Sequence, residues 1–375
     1  MKAKKEDTMP DNLDPGALAL LKELCLAHGA PSCEDEVRAV ARRYLAPLGD
    51  LETDRLGSIL CTMKNGAVDG PRVLVAGHMD EVAFAVQHIT PEGFLRIVPL
   101  GSWWTHNLLS QRLSLRTRSG EKVLGVVTST PPHLLDKDAL AKVLPVEELY
   151  VDIGAPSRAY AEQELGVSLG DTLVPATEFT PMNNPDLYLS KAFDNRAGMA
   201  VAIQDAIELQ EESLPCRLLI GGSVQEEVGL RGARTLARLA NPDLVIVLEG
   251  PPADDTPGLE ASASQGRLGG GAQIRLLDPS AISNRPLADH AVDVAKANSI
   301  PYQIAVRRTG ATDAGSFHIA NTGVPTVVIG VPARYIHTHN ALLDIKDYAA
   351  AIQLVKALVR TLNADRAGRF LKHGD

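Results

Sequence analysis

Cysteine is scarce in this chain and scattered: Cys25, Cys33, Cys61 and Cys216 form no CxxC spacing. That excludes a zinc knuckle and a disulfide framework, and the four read as reduced thiols, mostly in the core. Runs of like charge are missing too. With a net charge of −9 and no basic cluster, nucleic acid is not expected as a partner. No stretch approaches the roughly 18 consecutive apolar residues of a membrane-spanning helix. Met1 to about Pro15 is polar and lacks the apolar core of a signal peptide. The expectation is a soluble, cytoplasmic protein, disordered only at its ends and without a membrane partner.

What the chain does have is length and apolar content, 375 residues at 45% hydrophobic, enough for one large domain and a smaller one with a substantial core. Leu18, Leu21, Leu24 and Cys25 share one helical face, and Val37, Val40, Ala41, Tyr44 and Leu45 another. Next comes a strand at 58–63, then a near-continuous apolar run at 72–77 of the kind covered on both faces of a sheet. From 87 to 185 helical periodicity gives way to short alternating segments such as 94–98, 112–116 and 123–127. These predict a small β-barrel or sandwich inserted between two halves of an α/β domain, 1–86 and 186–375. Trp103, Trp104 and His106 fall within the insert, where they either line a substrate edge or an interface, or pack the barrel. Beyond 186 apolar strands and helices alternate again, up to a last helix with Tyr348, Ile352, Val355, Val359 and Leu362 on one face.

The chemistry gathers where apolar strands stop. The run 217–222 leads into Glu226, Glu227 and Gly229. Neighbouring side chains on an extended segment point to opposite sides, so one glutamate can bind a metal while the other acts as a general base. His78 follows the run 72–77, and Asp80 two residues on can accept its second N–H. Asp194 precedes the apolar-periodic stretch 199–209, so it can cap a helix through one oxygen and still bridge cations. Glu249 closes the run 243–248, and His337 follows the run 326–330. Two histidines and three carboxylates at such places suit a pair of divalent ions, zinc first, with cobalt or manganese also fitting. Asp194 is the bridge in this reading. Glu226 takes the proton of a water and passes it to a leaving amine.

Five runs carry a family likeness: His78-Met79-Asp80-Glu81-Val82-Ala83-Phe84, Lys191-Ala192-Phe193-Asp194-Asn195-Arg196, Glu226-Glu227-Val228-Gly229-Leu230-Arg231-Gly232-Ala233, Gly310-Ala311-Thr312-Asp313-Ala314-Gly315 and Arg334-Tyr335-Ile336-His337-Thr338. In order and spacing the chain resembles the tetrahedral (TET) aminopeptidases, metallopeptidase family 42, from about Leu18 to Leu362. That family includes glutamyl and deblocking aminopeptidases and some members labelled endoglucanase. The resemblance implies a three-layer α/β/α co-catalytic metallopeptidase domain on a mixed sheet. It also implies an inserted PDZ-like or barrel-like dimerisation domain, often built into a hollow dodecamer that admits short peptides. Position by position, the implied metal ligands are His78, Asp194, Glu227, Glu249 and His337, with Glu226 as base and Asp80 as the orienting carboxylate. There are two departures. The family often has aspartate where Glu249 stands, and often proline where His339 stands, which makes His339 a competitor for the ligand role. Thr312 and Asp313 are expected to support the metal loop or hold a substrate amine, with a simple turn as the alternative. His318 reads as structural.

Two rivals use the same residues. An N-acyl deacylase or carboxypeptidase would share the metals and the base, but the inserted β domain and the context 226–232 favour an aminopeptidase. A catalytically silent metal-binding scaffold would lack Glu226 or a ligand, and neither is missing. Glycoside hydrolysis, which normally uses two opposed carboxylates and no metal pair, fits poorly.

Overall fold

The computed structural model describes residues 13–260 and 264–371. Most of the polar opening stretch therefore lies outside the described residues, and the first helix, Pro15–Leu26, starts beside Asp14, whose carboxylate accepts the Gly16 N–H.

The larger domain is built on a nine-stranded mixed sheet. At its centre four parallel strands lie in the order Arg217–Ser223, Arg72–His78, Leu244–Glu249 and Thr326–Gly330. Antiparallel strands flank them, Ile59–Met63 on one side and Ala272–Asp278 on the other. The apolar runs are continuous because both faces are covered. In the strand Arg72–His78, Val73 and Val75 join a core shared with the helices Pro15–Leu26, Phe193–Leu209, Arg285–Ala297 and Ile345–Val359. Leu74 and Ala76 point the other way, into a second core with the helix Arg231–Ala240 and Phe317. This period-2 division makes three layers, helix, sheet and helix.

The insert is a closed six-stranded barrel that runs from the strand Ala83–Ile89 to the strand Thr172–Pro175. It has its own core around Phe84, Leu95, Ile97, Leu113, Leu115 and Leu173. A separate four-stranded sheet, not foreseen from the sequence, pairs Thr180–Pro181, Leu187–Ser190, Ala341–Asp344 and Ala333–Arg334. Its strands are two to four residues long, too short for a periodicity signal.

Candidate metal centre

Parallel strands place their carboxyl ends along one edge, where an open α/β sheet presents its functional groups. His78 and Glu249 each close a central strand, and Glu226-Glu227 follow the end of a third. Asp194 and His337 arrive by another route. Asp194 follows the short strand Leu187–Ser190, and His337 lies between Ala333–Arg334 and Ala341–Asp344, so the small sheet delivers both.

All five converge. The Nε2 of His78 lies 3.1 Å from Oδ1 of Asp194 and 3.5 Å from Oε1 of Glu249. The Nε2 of His337 lies 3.3 Å from the other Asp194 oxygen, Oδ2, and 3.5 Å from Oε2 of Glu227. Asp194 thus turns one oxygen to each histidine, and each histidine has a second carboxylate of its own. Each ring has its other nitrogen committed outward. Nδ1 of His78 donates to the Asp80 carbonyl at 3.2 Å, and Nδ1 of His337 donates to the Ser102 carbonyl at 2.9 Å. Both Nε2 atoms then face the carboxylates, the nitrogens that would bind a metal once it displaces their protons.

Three local readings are corrected by the structure. Asp194 does not cap its helix: it has non-helical φ and ψ, and the Gly198 N–H goes to the side chain of Asn195 at 3.0 Å. Asn195 also donates to the Leu248 carbonyl at 2.7 Å, tying the turn to the strand that ends in Glu249. Asp194 is therefore left with both oxygens for the centre. Glu226 and Glu227 do not diverge by strand alternation either. The strand ends at Ser223 and Gln225 has φ +56°, so the two glutamates leave a turn and line the same cavity. Glu226 Oε2 stays 3.9 Å from His78 Nε2. His339, finally, turns to the barrel, where its Nε2–H donates to the Arg112 carbonyl at 2.9 Å and burial pushes its pKa down to about 4.

Asp80 does more than orient an imidazole. Its carboxylate, 3.4 Å from His78 Nδ1, also accepts the backbone N–H groups of Glu226 at 2.9 Å and Glu227 at 3.1 Å. Thr312 is buried, donating to Asp278 at 3.3 Å. Asp313 is buried as well and accepts the Ser223 hydroxyl; burial pushes its pKa up to about 7. His318 bonds its own helix, to the Ala314 carbonyl at 2.7 Å. Ser102 and Asn195 were missed from sequence because a backbone carbonyl and a single amide carry no spacing signal. A third omission is a buried ionic cluster in which Glu81 Oε1 accepts from Lys191 at 2.5 Å and from Arg196 at 3.0 Å.

The electrostatics describe a centre short of positive charge. Burial alone would lower His78, but Glu226, Asp194, Asp80 and Glu249 hold it well above the ordinary imidazole value. His337 behaves likewise, burial being outweighed by Glu227 and Asp194, and rises to about 9. Burial and neighbouring carboxylates push Glu227 up to about 8 and raise Glu226 and Glu249. Asp194, against the same burial, is held well below the usual carboxylate range by the two imidazoles. Glu227 Oε1 is buried without a hydrogen-bond partner. Histidines driven cationic by carboxylates, carboxyls driven neutral by burial and one orphaned oxygen are what divalent cations would relieve. The donors fit such ions, since imidazole nitrogens and carboxylate oxygens in groups of three suit zinc, cobalt or manganese.

The centre opens into a cavity of about 350 Å³ bounded by Gly250, Pro251, Pro252, Thr309, Gly310 and Ala311. Arg275 and Arg307 also reach its wall, already paired with Asp278 at 3.2 Å and Asp254 at 2.9 Å.

The profile of the M42 glutamyl aminopeptidases matches residues 57–354. The chain belongs to this family. Among M42 relatives, the glutamyl aminopeptidase of Lactococcus lactis subsp. cremoris is 37% identical over 351 residues, 93% of this chain and 98% of its own length. The TET aminopeptidase of the marine sediment archaeon Thaumarchaeota archaeon SCGC AB-539-E09 is 39% identical, with a TM-score of 0.91 over 95% of this chain and 99% of the other. The TET1 peptidase of Pyrococcus horikoshii, described as assembling into a tetrahedron or a large octahedral shell, is 29% identical. Its TM-score is 0.81 over 92% of this chain and all of the other. The family, the mixed α/β fold with its barrel and the aminopeptidase class of hydrolase expected from the sequence all stand.

Proposed function

We propose that this chain is a dinuclear metallo-aminopeptidase that removes N-terminal residues from short peptides. The observation that carries the proposal is Asp194, whose two oxygens address two histidines, each beside a separate glutamate. His78, Asp194 and Glu249 would hold one ion, and Asp194, Glu227 and His337 the other. When bound, a pair of divalent ions supplies Lewis acidity, which acidifies water and polarises the scissile carbonyl. Zinc is the first choice for both places, with cobalt or manganese as substitutes.

Glu226 stands farther from His78 than the other carboxylates around that ring, at 3.9 Å, and it lines the cavity beside the ligands. It takes a proton from the attacking water and returns it to the departing amine. Asp80 holds the backbone of Glu226 and Glu227 through two N–H bonds and sets the tautomer of His78. Asp313, tied to Ser223 at the end of the neighbouring strand, is a support for this edge rather than a wall of the cavity. The same holds for Thr312. Self-association through the barrel, as a dimer within a dodecamer, follows by analogy with the TET peptidases, and the scattered thiols suit the cytoplasm.

Hydrolysis of aminoacyl anilides and short peptides, free and N-acetylated, tests the proposal on protein stripped of metal and reconstituted with zinc, cobalt or manganese. Free N-termini should be required, and activity should return with metal. Glu226→Gln should bind metal normally yet lose about a hundredfold to ten-thousandfold in kcat. Cleavage of acylated substrates alone would favour a deacylase, and silence with metal bound would favour a scaffold.

A further inference from the structure

An exopeptidase site is asymmetric. One residue of the substrate lies on the amino side of the scissile bond, and a chain of variable length leaves on the other. The cavity around Glu226 is bounded by Gly250-Pro251-Pro252 and Thr309-Gly310-Ala311, which suits a single residue. Past it lies a second hollow of about 550 Å³, between the catalytic domain and the barrel, that no step of the proposed chemistry uses.

Ile336 lines both hollows. Tyr335 and His337, on either side, have φ of +58° and +57°, in the left-handed region that non-glycine residues rarely occupy. This backbone sends His337 to the metal cluster and leaves Tyr335 on the outer groove, half exposed. Facing it from the insert is Trp104, 63% exposed, with the His106 ring 4.8 Å away, centroid to centroid. Its neighbour Trp103 answers the packing alternative by contrast, stacked on Phe84 at 4.7 Å with its indole N–H on the Ala83 carbonyl. Trp104 has no such place in the core. Asn107, Gln111 and Asn340 complete the groove, and among the described residues their side-chain amides hydrogen-bond to nothing in the chain. Exposed aromatic faces beside free amides match an extended peptide, whose side chains stack and whose backbone N–H and C=O groups seek partners.

We infer that this groove binds the part of the peptide beyond the scissile bond, with Trp104 and Tyr335 as its aromatic contacts and Gln111 and Asn340 as backbone partners. The inference rests on the aminopeptidase reading and adds where the rest of the peptide goes. An aminoacyl anilide cannot reach past the leaving amine, but a tetrapeptide with the same first residue fills the groove.

The test compares kcat/KM for alanyl anilide with that for Ala-Ala, Ala-Ala-Ala and Ala-Phe-Ala-Ala, in wild type, Trp104→Ala and Gln111→Ala. Wild type should prefer the longer, aromatic-bearing peptides. Trp104→Ala should lose about tenfold on the tetrapeptide with the anilide unchanged, and Gln111→Ala should lose less in the same pattern. Equal losses on every substrate, a changed preference for the first residue, or an altered oligomer size with the length dependence intact would each overturn the assignment. The last would make Trp104 a contact between copies. Absence of anilide hydrolysis in metal-reconstituted wild type would instead refute the aminopeptidase reading beneath it.

Discussion

Glu81 receives two cations on one oxygen, and all three partners are buried. Lys191 and Arg196 flank Asp194 in sequence, and Glu81 is three residues from His78, so the cluster ties together the two loops that deliver those residues. The guanidinium also donates to the carbonyls of Leu24 at 2.7 Å and Ala27 at 3.3 Å, fixing the end of the first helix to the same point. Neutralising Glu81 strands two buried cations. Glu81→Gln should therefore cost roughly 3–5 kcal/mol in chemical denaturation and weaken cobalt binding about tenfold to a hundredfold. Unchanged cobalt affinity in the folded variant would show that the cluster serves stability alone. At this scale the sequence was most legible for the five residues that converge, because histidine and carboxylates directly after apolar strands are a chemical pattern. Glu81, Lys191 and Arg196 lie inside quoted motifs, yet their pairing was not legible, since residues 110 and 115 positions apart give no local sign of contact.

At the scale of elements, the centre depends on how closely two turns approach. A Cβ on Gly250 would lie 2.6 Å from the Asp194 Cα and 2.7 Å from the Phe193 carbonyl oxygen, both backbone atoms of the turn that carries the shared carboxylate. Gly250→Ala should push that turn away from Glu249, and we expect a loss of about 1–3 kcal/mol in stability with weaker metal binding. A calorimetric metal titration of the variant beside a thermal melt reads both effects. The apolar strands and major helices were legible because each supplies enough residues for periodicity. The four-stranded sheet was not, and it is the element that presents Asp194 and His337. Treating Glu226-Glu227 as a continuing strand failed for a related reason: the left-handed turn at Gln225 breaks the alternation.

At the scale of the whole molecule, barrel and α/β domain are joined by polar contacts. Arg116 of the barrel pairs with Asp35 at 2.6 Å, Lys122 pairs with Glu36 at 2.9 Å, and the buried His28 ring meets the Thr172 hydroxyl at 2.9 Å. Burial, with Lys191 adding to it, pushes His28 down to about 3. Above pH 6.5 the ring is neutral in folded and unfolded chains alike. As pH falls below 6.5 the unfolded chain takes up a proton that the folded chain refuses until about pH 3, so stability is lost across that window. Relative to wild type, His28→Gln should thus become progressively more stable as pH drops from 6.5, by up to about 5 kcal/mol at the acid limit. Urea denaturation at several pH values measures this, and a gap independent of pH would contradict it. No helix among the described residues is long and apolar enough to cross a membrane. The change of texture near 87 signalled a β-rich insert, whose first strand starts at Ala83, but this ionic junction left no sign in the sequence.

The most direct test of the proposed dinuclear centre is the number of divalent ions bound per chain, measured by elemental analysis after dialysis against zinc, for wild type and Asp194→Asn. Two ions per chain in wild type, falling below two in Asp194→Asn together with loss of peptide hydrolysis, is the predicted result. One ion per chain in a fully active wild type, or two ions retained by an active Asp194→Asn, would contradict it.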